Sequence, residues 1–313
     1  MELHQLQCFI AVLEEGGFKR ATARLGITQP ALSYQIKRLE EELGVQVFHR
    51  GPGGITPTEA GRVLLEHAHH VIAAVREAHE AVREQSGGVT GEIRIGAIKC
   101  VGQYFLPHVL CEMGAKHPMI RPLLVYRDSD ELFESLLANK VDVALVVDPP
   151  ADRRLLYENV FDEQISLVSG PGHAFYGRDT VDVSELQGAN FVALSPQTSA
   201  GALTRTYLQR MGISVVPAIT TDNIETVKRM IEAAMGVAFL PDMSTTDDVT
   251  PSGGPARLSR SKVEPTLSLP LVVATWRDAH RSLALDAFVD SVLRIGRQWD
   301  GTGRGPGAAI PAE

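Results

Sequence analysis

Residues Ala21–Arg50 read ATARLGITQPALSYQIKRLEEELGVQVFHR, and this stretch decides how the first part of the chain folds. Gly26 ends one short apolar-periodic segment, Phe18, Ala21 and Leu25, because glycine tolerates the left-handed conformation that helix ends require. Thr28 is placed to cap the next helix with its hydroxyl, and Pro30 falls in the first turn, where its missing N–H costs nothing. The spacing therefore predicts a helix from Gln29 to Gly44 with Leu32, Ile36, Leu39 and Leu43 as its buried stripe. Gln29, Ser33, Tyr34, Lys37 and Arg38 are left facing outward near its beginning. Such side chains suit a major groove, since Gln can bond adenine bidentately, Ser can donate or accept, and Lys and Arg meet phosphates or guanine. A short turn joining two helices, the second offering its N-terminal part, is helix-turn-helix geometry.

Working outward, Leu3, Leu6, Ile10 and Leu13 line one face of a preceding helix, which Gly16 and Gly17 interrupt. Lys19, Arg20, Arg24, Lys37, Arg38 and Arg50 stand against only Glu40, Glu41 and Glu42 between residues 19 and 50, although the whole chain carries −8. Positive charge is thus concentrated where phosphates would lie.

These residues resemble the LysR-type transcriptional regulators. The signature A-x-x-L-x-(I/V)-(T/S)-Q-P-A-L-S-x-Q-I-x-x-L-E-x-x-L-G-x-x-(L/V)-F-x-R maps onto Ala21–Arg50, and Thr56, Thr58, Glu59, Ala60 and Gly61 continue it as T-x-T-E-A-G. The resemblance runs from about Met1 to Arg297. Gly17 departs from it, standing where a capping Ser is usual, and so does Tyr34, where Arg is commonest. It implies a winged helix-turn-helix over residues 1–58 in which Thr28, Gln29, Pro30, Ser33, Tyr34, Lys37, Arg38, Arg50 and Thr56 meet double-stranded promoter DNA.

From Thr58 to Gln85 the pattern is one long helix, with Leu64, Ala68, Val71, Val75, Ala78 and Val82 in a four-three alternation that reads as a coiled-coil seam. Alone it would leave that stripe wet, so a dimer is expected. The resemblance implies the same for residues 59–88, and a homotetramer built as a dimer of dimers, with RNA polymerase as a further candidate partner. His67, His69, His70 and His79 share this helix, but His70 and His79 do not share a face and no Cys or carboxylate cluster joins them, so no metal site is expected.

Gly87, Gly88 and Gly91 mark a boundary, after which strands and helices alternate and imply a parallel α/β sheet. Strands are expected at residues 92–98, 122–126, 141–147, 164–169, 191–194, 215–220, 237–240 and 269–276, and helices at 104–116, 131–139, 200–211, 223–235 (closed by Gly236) and 283–297. Thr250–Ser261 reads as a surface loop and residues 299–313 as a disordered tail. The resemblance implies two subdomains like those of periplasmic binding proteins, residues 91–161 with 266–298 and residues 162–265, the chain crossing near Phe161 and Thr266. NIETVKRMIEAAMGVAFLP, Asn223–Pro241, matches the family's E-T-V-x-x-x-V-x-x-G-x-G-(I/V)-x-x-L-P, with Ala234 and Met235 replacing the first glycine region.

Ligands in such sheets bind at the carboxyl ends of strands, near helix N-termini. The expected effector cleft is therefore lined by Lys99, Cys100, Val147, Ser195, Gln197, Thr198, Ser199, Asp222 and Asn223. Lys99 with the Ser195, Thr198 and Ser199 hydroxyls favours a small anionic metabolite, against the alternative that those hydroxyls only cap helices. A competing input is redox sensing by Cys100, whose thiolate a neighbouring Lys99 would favour. The peroxide-sensing branch of the family carries its reactive cysteine near the segment occupied here by Ser195–Ala202, which holds none.

Composition limits other classes. The hydrophobic fraction is 44% and the charged fraction 22%, ordinary for a globular chain, and three cysteines are too few for a disulfide framework. No apolar run approaches a membrane span and no signal region opens the chain, so a cytoplasmic location is expected. Ser195 lies in no G-x-S-x-G motif, and no phosphate or dinucleotide glycine pattern opens the α/β region, so neither an enzyme nor a cofactor is expected. A transport-type binding protein would leave Ala21–Arg50 unexplained.

Overall fold

The computed structural model describes residues 1–51, 54–84, 89–249, 256–277 and 281–299. The chain divides into two compact units, Met1–Gly88 with Leu137–Lys140, and the remainder. The caps and breakers read from residues 1–44 are realised closely: α1 spans Leu3–Glu14, α2 Phe18–Leu25 and α3 Gln29–Leu43. Gly26 (φ 66°) and Gly44 (φ 70°) supply the left-handed residues that end α2 and α3. A hairpin of β1, Phe48–Gly51, and β2, Gly54–Pro57, forms the wing, and α4 follows at Glu59–Glu84.

The core of this unit is Leu6, Phe9, Ala21, Leu32, Ile36 and Leu39, all buried, with the Phe9 and Phe48 rings 5.2 Å apart. Leu43 departs from the expected stripe: at 37% exposure it has left the core as α3 runs past its packing partners. The expected seam of α4 also divides. Leu64 and Ala68 pack into the winged-helix core with Leu65 and Ile72, while Val71 and Val82 are exposed. Gly61 shows why the first turn of α4 is so tightly specified, because a Cβ there would lie 2.1 Å from the Val47 carbonyl oxygen.

In the second unit, β3 (Gly91–Ala97), α5 (Lys99–Tyr104), α6 (Leu106–Lys116), β4 (Ile120–Tyr126), α7 (Ser129–Leu137) and β5 (Val143–Val147) come first. The helix expected at 104–116 is α6, opened by Pro107, and a further short helix, α5, precedes the break at Phe105. Next come β6 (Leu155–Ser169), β7 (Thr180–Asp182), β8 (Val192–Leu194), α8 (Ser199–Arg210), β9 (Ile219–Thr221), α9 (Ile224–Glu232), β10 (Ala238–Pro241), α10 (Thr246–Val249), β11 (Ser259–Glu264), β12 (Ser268–Trp276) and α11 (Leu283–Arg297).

The sheet is mixed, not parallel throughout. β3 pairs parallel with β4 and β5, and β8 with β9, but β12 inserts between β5 and β6 antiparallel to both, and β10 and β11 pair antiparallel with β6. β6 is one 15-residue strand that pairs with β12 along Leu155–Gln164 and with β10 along Ile165–Val168, so it serves both halves of the unit. Helices join the parallel pairs β3–β4 and β8–β9, whereas β12 returns between β5 and β6 antiparallel to both, which is where the expectation failed.

Three smaller expectations are also corrected. The strand sought at 215–220 is the three-residue β9. α9 ends at Glu232 rather than at Gly236, with Ala234 taking φ 61° and Gly236 φ 146°. Ser259–Ser261 of the expected loop are strand, paired with β6, while residues 250–255 of it, like residues 300–313 of the expected tail, lie outside the described residues. No described helix is long and apolar enough to cross a membrane.

Candidate functional site

On the first unit, the Thr28 hydroxyl accepts a hydrogen bond from the Ala31 N–H at 3.4 Å and so fixes where α3 begins. Thr28, Gln29, Pro30, Tyr34, Lys37 and Arg38 are exposed on one end of that helix, Tyr34 at 59%, and Ser33 is half-buried beside them. Lys37 pairs with Glu41 at 3.5 Å and Arg38 with Glu2 at 3.6 Å, all four side chains largely in solvent. Exposed pairs of this kind are worth at most about 1 kcal/mol and are readily exchanged for phosphate. Thr56 is exposed in the wing and pairs in register with His49, while the Arg50 backbone pairs with Ile55. No side chain caps α2, because Gly17 stands at the N-cap.

Within the second unit a cavity of about 80 Å³ opens at the ends of β3, β5 and β8. Lys99, Cys100, Val147, Thr198, Ser199 and Asp222 line it, as expected, but Ser195, Gln197 and Asn223 do not. Those three are engaged locally. Ser195 bonds Gln197 side chain to side chain, and the Asn223 side chain caps α9 by accepting from Thr226 N–H at 3.0 Å. The Thr198 hydroxyl donates to the Ser195 carbonyl and accepts from Gly201 N–H, so its main task is capping α8.

The cavity lies where two stretches of the sheet meet. Ser129 at the start of α7 and Ser199 at the start of α8 approach to 3.5 Å between hydroxyls. Tyr104 of α5 hydrogen-bonds Glu225 of α9, and its ring lies 5.5 Å from the Lys228 ammonium. Burial, and then the bond to Glu225, push the Tyr104 hydroxyl well above its ordinary range. Lys228 itself is buried and reaches the Ser244 carbonyl at 2.9 Å and Asp248 at 2.8 Å.

Sequence reading missed the most unusual lining residue. Glu163 of β6 is 4% exposed; its Oε1 accepts from Met243 N–H at 2.8 Å, and its Oε2 has no hydrogen-bond partner among the described residues. Burial pushes its carboxyl up to about 8, with Met243 N–H and Arg260 opposing and Asp242 adding to the rise. The signal was present in the sequence. Phe161, Glu163, Ile165 and Leu167 occupy alternate positions and all face inward, so Glu163 is an acid in an apolar register.

Cys100 moves opposite to the redox expectation. Burial, reinforced by Glu163, pushes its thiol well up despite the opposing Lys228, which disfavours the thiolate that oxidation needs. Lys99, the neighbour expected to lower it, is exposed.

A family model described as a bacterial regulatory helix-turn-helix protein of the lysR family matches residues 3–62, and one described as the LysR substrate binding domain matches residues 86–296. The chain belongs to the LysR family. Like its relatives this LysR-type protein is a sequence-specific DNA-binding transcriptional regulator with an effector-binding domain. It is 32% identical over 244 residues to the HTH-type transcriptional regulator CfxR of Cupriavidus necator, covering 77% of this chain and 75% of that one. Among solved structures, a full-length OxyR variant from Pseudomonas aeruginosa superposes with a TM-score of 0.73 at 22% identity, over 93% of this chain and 94% of that one. Full-length CbnR complexed with its target DNA gives 0.65 at 23% identity, over 94% and 99%. These two likenesses concern the fold.

Proposed function

We propose that Gln29, Ser33 and Tyr34 of this LysR-type regulator read base edges, that Thr28, Pro30, Lys37, Arg38, Arg50 and Thr56 position the helix and wing on phosphates, and that an anionic small molecule in the cleft of the second unit controls this. The observation that carries the reading is the exposed N-terminal end of α3, which presents a bidentate amide beside two weakly paired cations. Two recognition helices of a dimer read an inverted repeat. The exposed Val71 and Val82 of α4 support pairing through that helix, and a dimer of dimers follows the family pattern.

The anionic preference is supported by the N-termini of α7 and α8, which bring Ser129 and Ser199 together, and by Lys99 at the cavity rim. Asp128 and Asp222 line the same cavity, so the effector also carries groups that donate to carboxylates, as hydroxyls do. An effector acts only through unequal affinity for two arrangements of the oligomer.

Gel-shift titrations test the DNA assignment. Gln29→Ala weakens specific binding by roughly 1–3 kcal/mol and leaves nonspecific binding nearly unchanged, whereas Arg50→Ala weakens both. Equal losses on all sequences from Gln29→Ala would remove its base-reading role.

A further inference from the structure

Glu163 is an unusual group to find in the wall of a cleft that takes an anion. Its side chain comes from the middle of β6, is almost wholly buried, and its Oε1 accepts from Met243 N–H, with the Asp242 backbone also opposing the rise of its carboxyl. Oε2 is left without a partner among the described residues, and Glu163 shares the cavity wall with the hydrocarbon of Ile98, Ile165, Leu269 and Leu271. A buried polar atom left unpaired is costly, and a ligand that completes its hydrogen bonding recovers that cost.

Building on the anionic reading of the cleft, we infer that Glu163 is a specificity-determining residue: as a neutral carboxylic acid it donates a hydrogen bond from Oε2 to an oxygen of the anionic effector. The assignment of the proton follows from the geometry. Oε1 accepts from a backbone N–H, so Oε2 is the oxygen free to carry the hydrogen, and an ionised effector oxygen is the strongest acceptor it can meet. The effector then needs no cation at this end of the cleft, and Lys99 and the helix N-termini hold its other end.

The surroundings keep Glu163 neutral. Asp242, at the end of β10, adds negative charge beside it and pushes its carboxyl up, while Arg260 of β11 partly offsets this. Arg260 and Lys262 of β11 act also on Asp242, whose own carboxyl burial raises. From α5 the Cys100 thiol, itself raised, contributes no charge, and Lys228 of α9 spends its donors on Glu225, Asp248 and the Ser244 carbonyl. Ionisation of Glu163 therefore falls near pH 8. Below that the acid donates; above it a carboxylate repels the anion, so affinity declines about tenfold per pH unit.

Calorimetric titration of the full-length protein tests this with pyruvate and glycolate, whose carboxylates stay ionised from about pH 6 to about pH 9, and with glycerol and acetamide as neutral probes. The expected result is that at least one carboxylate binds at about pH 6 and loses roughly tenfold at about pH 9. In Glu163→Gln, whose amide still donates, the same probe binds with no such decline, and in Glu163→Ala it binds weakly at both pH values. Carboxylate binding that is independent of pH and unchanged by Glu163→Gln and Glu163→Ala overturns the role of Glu163 and leaves the anionic cleft standing. Binding of neutral probes alone, or of no probe, overturns the anionic cleft and this inference with it.

Discussion

Lys228→Met is the sharpest perturbation of the second unit. The Lys228 and Asp248 side chains are 8% and 7% exposed and 2.8 Å apart, and the ammonium also donates to the Ser244 carbonyl and pairs with Glu225 at 2.6 Å. Methionine keeps the aliphatic stem but strands the buried carboxylate and the carbonyl. Breaking a buried pair from one side costs about 3–5 kcal/mol. Arg257 continues to hold Asp248 at 2.8 Å from a half-exposed position, which places the expected loss at the lower end, about 3 kcal/mol. At roughly 2–4 °C per kcal/mol for a unit of this size, the melting temperature of the second unit falls by about 6–12 °C. Thermal melts followed by circular dichroism on the full chain read this directly. Lys228→Met combined with Asp248→Leu should recover most of the loss, because no charge is then left stranded. A single variant melting within about 2 °C of the parent, or a double variant showing the plain sum of two losses, would refute a buried, mutually dependent pair.

Three further outcomes follow from the same geometry. Gly61→Ala pushes a Cβ against the Val47 carbonyl and should destabilise the first unit by about 1–3 kcal/mol or more, measured by urea denaturation, and loosen the seating of α4. Gly17→Ser should stabilise it by roughly 0.5–1 kcal/mol, since the backbone there is extended, nothing stands within 4 Å of a new Cβ, and the hydroxyl caps α2. Because folding raises the Glu163 carboxyl, its contribution to stability is full below about pH 4 and is lost as pH rises through about 8. Denaturation across that window should therefore show Glu163→Gln gaining on the parent, by a few kcal/mol in all. A constant difference between the two proteins would place the ordinary titration of Glu163 back in the acid range.

The first unit was legible because its signals are short-range. Thr28, Pro30, Gly26 and Gly44 each specify a backbone conformation within a turn of themselves, and Leu32, Ile36 and Leu39 repeat at helical spacing. Leu43 obeys the same spacing and is nevertheless exposed, since periodicity says which face a residue occupies but not how far along the helix its partner reaches. In the second unit Lys99, Cys100, Val147, Thr198, Ser199 and Asp222 could be placed in one cleft from the rule for strand ends. Ser195, Gln197 and Asn223 could not be excluded by it, because a hydroxyl or amide at a helix start serves a cap and a ligand equally well in sequence.

What the sequence determined by itself is thus the helix-turn-helix with its outward residues, the family, and the strand ends from which the cleft is built. Only the tertiary structure decided that β12 returns antiparallel between β5 and β6, that the partly buried Cys100 thiol has its ionisation suppressed, and that Glu163 is buried in the cavity wall and Lys228 beside Asp248. Caps and periodicity act over a few residues along the chain. Strand pairing, desolvation and the pairing of buried charges depend on groups tens of residues apart, which the fold alone brings together.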